Sequence, residues 1–460
     1  MNFFKILDLK KFYVLILVGV LIDFTGCAPR ENTTTVNTNV NSVPDNTTVN
    51  TNSVKPPENK QATMAMPVTL PVLDAMFADE QFAAELKSKL QLTDEQINRL
   101  KEVSGSAVRD LNEDDSEDNG GSTRASSERA GNEIRQIIGE DKANQLFELV
   151  RTRWQGGAEN AANNTTGATP GAVPTDTRIV VNAPAYRMDV FQNGKLVKTY
   201  KVGIGYPEFP LPSGMRKAET IIFNPTWTPP DEPWVKGKFQ PGKKVEAGSK
   251  LNPLGLIKIP IGLPSLIHGG KSPARLGTFA SHGCVGLTDS QIKDFSLELA
   301  KLSGTELKLE DIGNYGKNKS ETKNVKLQKP VPVELRYETI VVENGVLKIF
   351  RDVYERGTNT EENLRRVLDV YGVSLDSLDA ADRDKILQGL KQMANDALGN
   401  PVDQNTSANM NSNANSAKNQ NSNSNRDKVT KNIKGKKEVT FQLAQLQGKG
   451  YPAPVNALTQ

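Results

Sequence analysis

The chain contains two histidines and two cysteines in 460 residues, and both histidines and one cysteine fall in one short window. The window reads His268-Gly269, then Ser281-His282-Gly283-Cys284. A thiol becomes a strong nucleophile only as a thiolate, and an adjacent imidazole can take its proton. The glycines beside these groups let a substrate carbonyl come close to the backbone. His282 stands two positions before Cys284, so an extended backbone points both side chains to one face. In a chain so poor in histidine, this grouping predicts acyl chemistry on a cysteine rather than packing. No phosphate-cradling glycine loop and no Cys/His metal-ligand spacing accompany it, so no metal, nucleotide or other cofactor is expected. A formal net charge of +3 is too small to predict a nucleic-acid partner.

The second cysteine belongs to a different argument. Lys5, Lys10 and Lys11 precede an apolar run, Phe12 to Ile22, which ends in Phe24-Thr25-Gly26-Cys27. A basic start, a short apolar centre and a small-residue exit predict a secretory signal over 1–27. The run is short for a membrane span. Cys27 after Gly26 resembles a bacterial lipobox, in which the cysteine is lipidated and anchors the protein to a membrane. Phe24 in place of leucine and Asp23 at the end of the run depart from that pattern. An uncleaved anchor and an ordinary cleaved signal are the alternatives. All three place the bulk of the chain outside the cytoplasm, and the lipidated form is expected in the cell envelope (periplasm), anchored at a membrane. With Cys27 lipidated, Cys284 has no disulfide partner in the chain, which suits a reactive thiol.

The elements that must position the window follow from composition and periodicity. Residues 28–62 are rich in Asn, Thr, Val and Pro and predict a disordered tether. Residues 63–155 predict a small helical module, with Phe82, Leu86 and Leu90 on one face. Thr93-Asp94-Glu95-Gln96 reads as a capping box opening its next helix. Residues 156–176 form an Ala/Asn/Thr/Gly linker. Residues 177–312 predict a mainly antiparallel β domain, with an Asn193-Gly194 hairpin turn and one helix, about 290–302, after the cysteine. Residues 313–397 predict an appended hairpin, turning at Asn344-Gly345, followed by two helices. Residues 398–460 read as an Asn/Ser-rich and Lys-rich tail.

The segment 177–312 resembles the catalytic domain of L,D-transpeptidases of the YkuD type. Ile179-Val-Val-Asn and Val190-Phe-Gln-Asn-Gly-Lys195 match its opening strands, and Pro212-Ser213-Gly214 matches its Pro-Gly turn. Asn224-Pro225-Thr226-Trp227 and Asn252-Pro253-Leu254-Gly255 resemble the branch that anchors lipoprotein to peptidoglycan. Ile267-His268-Gly269 and Ser281-His282-Gly283-Cys284-Val285 carry the signature itself. The resemblance implies a YkuD-like β-sandwich with one helix after the nucleophile. It implies Cys284 as nucleophile, His268 as its proton acceptor, and Ser281, His282, Gly283 and Gly269 in support. The N–H groups of Gly283 and Cys284 are expected to form the oxyanion hole. Many members follow the cysteine with a small residue and then Arg; here Gly286 stands in that place. Arg275, in the loop between the two histidines, is the candidate to supply a substrate-binding guanidinium instead, and a solvated loop charge is the favoured reading of it.

The implied reaction is cysteine acyl transfer from a peptidoglycan tetrapeptide stem to an amine, on a second stem or on an envelope lipoprotein. Water as acceptor would make the chain an L,D-carboxypeptidase. An inactive fold would make it a peptidoglycan-binding lipoprotein.

Overall fold

A computed structural model describes residues 64–109, 122–155, 169–228, 243–247, 249, 251–262, 264–402 and 429–455. The leader, Cys27, the 28–62 tether and most of the 156–176 linker lie outside the described residues.

The helical module forms as its periodicity predicts. It comprises α1 (Leu70–Met76), α2 (Glu80–Leu90), α3 (Asp94–Arg109), α4 (Thr123–Ile138) and α5 (Glu140–Trp154). Thr93 and Gln96 close the expected capping box, with side chain-to-backbone bonds of 3.2 and 3.1 Å. Phe82, Leu86, Leu100, Ile134, Leu146, Phe147 and Val150 are fully buried in a core of their own. The module is bolted to the β domain. Thr69 Oγ1 donates to the Glu208 carbonyl (2.7 Å) and Thr123 Oγ1 to the Pro207 carbonyl (2.6 Å). The Glu355 carboxylate accepts from Ser122 Oγ and the Thr123 N–H, both at the start of α4.

The β domain begins with β1 (Arg178–Asn182), β2 (Arg187–Gln192), β3 (Lys195–Lys201), β4 (Ile204–Gly205) and β5 (Gly214–Phe223). It continues through β6 (Ile257–Pro260), β7 (Leu266–His268), β8 (Phe279–Ser281), β9 (Val285–Gly286), α6 (Asp289–Ser303), α7 (Leu309–Lys317) and β10 (Lys323–Arg336). Eight strands form one sheet in the order β3-β2-β1-β10-β5-β6-β7-β9, and β4 pairs with β8 in a second ladder. Residues of both ladders and of α6, among them Ile179, Val190, Ile204, Phe279, Phe295 and Leu299, share one apolar core. The domain is therefore mainly β with helices before and after.

Two features depart from the sequence expectation. The sheet is mixed rather than antiparallel: β1 runs parallel to β10, β7 to β9, and β4 to β8. The β domain also does not close at residue 312. β10 sits between β1 and β5 in the middle of the sheet. Pro330 and Pro332 hide this strand, because proline is ordinarily confined to edges and bulges. Both lie where the structure tolerates them: the pairing with β5 shifts register between Lys326 and Val331, and β1 joins only from Val333 onward.

Beyond β10, β11 (Ile340–Glu343) and β12 (Val346–Phe350) form the expected hairpin, with Asn344 and Gly345 at φ +47° and +82°. Asn193 and Gly194 turn the β2–β3 hairpin in the same way. Left-handed conformations at both central residues match the right-handed twist of the strands. Helices α8 (Glu361–Val370) and α9 (Ala380–Met393) pack on this sheet. The Lys-rich tail contributes β13 (Glu438–Gln442), which pairs with β12, so this part of the tail is folded structure rather than a solvated end. Arg187 of β2 reaches Glu343 of β11 at 2.6 Å and ties the small sheet to the large one.

Candidate active site

Parallel strand pairing brings together the segments that carry Cys284 and His268, the residues expected to act as nucleophile and base. β7 and β9 lie side by side, with Ile267 opposite Val285 and His268 opposite Gly286. Cys284 immediately precedes β9 and His268 ends β7. The fifteen residues between them include the short helical turn Pro273–Arg275 and β8. Both groups are buried, Cys284 at 9% and His268 at 3% exposure.

The turn that presents Cys284 is built from its own residues. Gly283 adopts φ +81°, which a residue with a Cβ enters only under strain. Ser281 Oγ accepts the Cys284 N–H at 3.0 Å and donates to the Cys284 carbonyl. Ser265 Oγ donates to the Gly283 carbonyl at 2.8 Å, a contact that sequence reasoning did not anticipate. The bond to Ser281 corrects one expectation: the Cys284 N–H is already engaged and is not an oxyanion donor in this arrangement. Among the described residues no acceptor takes the Gly283 N–H, which leaves it as the donor to consider.

His268 Nδ1 lies 2.7 Å from the Gly269 carbonyl oxygen. A carbonyl only accepts, so Nδ1 carries the proton and Nε2 holds the lone pair. Gly269 must lack a side chain for a packing reason. A Cβ there would stand 2.7 Å from Asp289 Oδ1 and 2.8 Å from Ile292 Cγ2. The Asp289 carboxylate, at the first position of α6, accepts the Gly270 N–H at 2.9 Å and clamps the segment after the base.

β-ladder phase explains the electrostatics. Gly269 N–H bonds the Ile257 carbonyl and Ile261 N–H bonds the Ser265 carbonyl, so Lys258/His268 and Pro260/Leu266 are the non-hydrogen-bonded pairs. Such pairs hold their side chains close, and their N–H groups face away from the partner strand. The Leu266 N–H is thereby turned away from β6, to the side of the Cys284 thiol, which it favours in its charged form. Pro260, opposite it, loses no ladder bond by lacking an N–H. Lys258 stands beside His268 by the same pairing.

Burial pushes the Cys284 thiol above its ordinary value, opposed by the Leu266 N–H and the ammonium groups of Lys271 and Lys258. Burial, with Lys271 and Lys258 adding to it, holds the His268 imidazole down to about 3, against the bond to Gly269. At neutral pH the resting pair is a thiol beside a neutral imidazole. His282 is packed, not poised: its ring meets Phe209 and Tyr206 edge-on at 4.5 and 5.2 Å. Arg275 donates to the Phe279 carbonyl within its own loop. That contact closes the loop that carries Arg275. Among the described residues there is no cluster of His, Cys, Asp or Glu able to hold a metal.

Residues 176–301 match the family model described as the L,D-transpeptidase catalytic domain, YkuD. No curated protein matches the chain. Among solved structures, the chain is similar to the catalytic domain of the E. faecium L,D-transpeptidase, with 18% identity over 36% of this chain and 100% of that one (TM-score 0.23). A longer Enterococcus faecium L,D-transpeptidase shares 16% identity over 35% of this chain and 50% of that one (TM-score 0.22). An L,D-transpeptidase from Mycobacterium smegmatis shares 14% identity over 35% of this chain and 58% of that one (TM-score 0.20). The chain thus spans about half the length of the longer enzymes it resembles. Residues 176–301, which carry His268 at the end of β7 and Cys284 just before the adjoining β9, are a YkuD domain of the L,D-transpeptidase catalytic family.

Proposed function

We propose that this chain is a peptidoglycan L,D-transpeptidase that works by cysteine acyl transfer. The observation that carries the reading is the fixed tautomer of His268, whose Nε2 lone pair is the base left for the buried Cys284 thiol. Neither group is charged at rest, so proton transfer to Nε2 accompanies attack of Sγ on the substrate carbonyl. The donor is a tetrapeptide stem, attacked at the carbonyl of its third, diamino residue. His268 then returns the proton to the departing amine of D-Ala. An amine on a second stem or on an envelope lipoprotein resolves the thioester and regenerates the thiol. One peptide bond is exchanged for another, so no external energy source is required. The Gly283 N–H stabilises the tetrahedral oxyanion. Ser281 and His282 hold the turn that carries the nucleophile. In this reading the chain acts in the envelope, held there by lipid on Cys27.

Mass spectrometry of the full chain incubated with purified tetrapeptide muropeptides tests this. The expected products are a Cys284 thioester that lacks D-Ala and cross-linked dimers. Tripeptide without dimer would assign water as the acceptor. An unmodified Cys284 with unchanged substrate would overturn the enzymatic reading.

A further inference from the structure

The loop that follows β4, Tyr206 to Pro210, has different partners on its two sides. One side faces the turn that carries Cys284. The Tyr206 N–H donates to the Ser281 carbonyl at 2.9 Å, and the Phe209 N–H closes the loop on the Tyr206 carbonyl at 2.9 Å. The rings of Tyr206 and Phe209 both meet His282 edge-on. The approach is close enough to require a glycine. A Cβ on Gly205 would run into the Phe209 carbonyl oxygen and stand 3.1 Å from both Cα and N of Gly283. The other side faces the helical module. The carbonyls between Tyr206 and Phe209, those of Pro207 and Glu208, accept from Thr123 Oγ1 at the start of α4 (2.6 Å) and Thr69 Oγ1 at the start of α1 (2.7 Å). Thr69, Thr123 and Glu208 are all buried. The Thr123 N–H in turn donates to Glu355, and the neighbouring Tyr354 hydroxyl donates to the Gly205 carbonyl, both at 2.9 Å.

We propose that Thr123 and Thr69 are positioning residues for Cys284, and that the helical module is the brace of the nucleophile turn. The gripped carbonyls lie at the middle of the loop, and the residues flanking them are the two that touch His282. Bonds to two successive carbonyls fix the orientation of the loop as well as its distance from the turn. A buried carbonyl is costly to leave unpaired, so a loop that loses a threonine hydroxyl shifts to find another donor. His282 and Gly283 move with it, and so do the thiol and the Gly283 N–H. A misplacement of about 1 Å at reacting groups can cost roughly 10²-fold in rate. Neither threonine reaches the reacting atoms; both act through the loop. The consequence for turnover rests on the transpeptidase reading, whereas the hold on the turn stands without it.

Hydrogen exchange of the full chain, read by mass spectrometry, tests the brace. Thr123→Val removes the hydroxyl but keeps the side-chain shape and the N–H that bonds Glu355. It is expected to speed exchange in residues 281–287 by about tenfold and to leave the β2–β3 hairpin, 187–201, at its wild-type rate. Thr123→Ser keeps the hydroxyl and should exchange as wild type does. Thr69→Val, acting from α1, should give the same pattern at 281–287, and it decides the matter if Thr123→Val does not fold. Faster exchange confined to the helical module and the loop, with 281–287 unchanged, would overturn the proposal. So would an equal acceleration in 187–201, which marks a general loss of stability. In turnover, kcat of Thr123→Val should fall by about 10–100-fold with KM unchanged, and Thr123→Ser should restore it. A loss carried by KM alone would also overturn the proposal. Exchange needs no turnover, so a wild-type chain that transfers no acyl group bears on the reaction and not on the brace.

Discussion

His268 Nδ1–H donates a hydrogen bond to the carbonyl of Gly269, its own chain neighbour, at 2.7 Å. That single bond leaves Nε2 as the ring nitrogen available to act as the proposed base. It also makes Gly269 a part of the machinery, since its carbonyl must stay aimed at the ring while α6 packs against its Cα.

Removing the base should be costly. His268→Ala is expected to lower turnover by about 10²–10⁴-fold, the usual contribution of a general base. His282→Ala should cost far less turnover but lower the melting temperature, because it removes edge-on contacts to Phe209 and Tyr206 worth about 0.5–1.5 kcal/mol each. Steady-state rates and thermal melts of both variants check this, and a larger rate loss for His282→Ala would reverse the assignment.

The nucleophile's protonation state is open to direct measurement. Burial holds the Cys284 thiol above its ordinary value. The rate of alkylation by iodoacetamide should therefore keep climbing through the alkaline range, without a plateau near neutrality. Cys284→Ser should abolish turnover, because a hydroxyl is far harder to ionise than a thiol, and should leave the fold intact. A wild-type alkylation profile already saturated at pH 7 would contradict the neutral pair.

Ser281 holds both the N–H and the carbonyl of Cys284. Ser281→Ala should cost about 1–3 kcal/mol, the penalty of leaving buried backbone groups unpaired. Turnover should fall with it, since the turn no longer fixes the sulfur. Ser281→Thr keeps the hydroxyl and should be the milder change. Denaturant midpoints together with rates would separate the two effects.

The junction between α4 and Glu355 predicts a pH dependence of stability. Burial raises the Glu355 carboxyl from 4.5 to about 7, assisted by Asp396 and Asp352 and opposed by the bonds from Ser122 and Thr123. Between these values the folded chain keeps a proton that the unfolded chain releases. Its contribution is thus fully present below pH 4.5 and lost as pH rises to about 7. Glu355→Gln cannot lose that proton. The stability of wild type relative to Glu355→Gln should fall from pH 4.5 to 7 and then level off. Paired thermal melts across that range check the sign, and a wild type that gains stability relative to Glu355→Gln as pH rises would refute it.

The proposed anchor is independent of the catalytic argument. Cys27→Ala should release the protein from the membrane fraction while leaving its acyl transfer in solution unchanged. Metabolic labelling with a fatty-acid analogue reads the anchor directly. A wild-type chain that takes up no label would point instead to an ordinary cleaved signal.

What the sequence determined by itself is whatever is encoded locally. Rare residues mark the site, because two histidines and a thiol grouped in one window have few other uses. Asn193-Gly194 and Asn344-Gly345 dictate their hairpins, since both positions need left-handed backbone that few residues tolerate. Thr93 and Gln96 cap a helix from within four residues. Only the tertiary structure decided what depends on pairing between distant strands. β10 lies at the centre of the sheet although its prolines argue locally for an edge, because a register shift absorbs them. The alternation of hydrogen-bonded pairs along β6 and β7 sets Lys258 beside His268 and turns the Leu266 N–H toward Cys284. Lys271 and Arg275 are both basic residues in one loop, and nothing local tells them apart. One is carried across Gly286 by a bond to the next strand, and the other closes its own loop. The side-chain chemistry was legible in the residues; the fields and bonds that tune it exist only once the strands are in register.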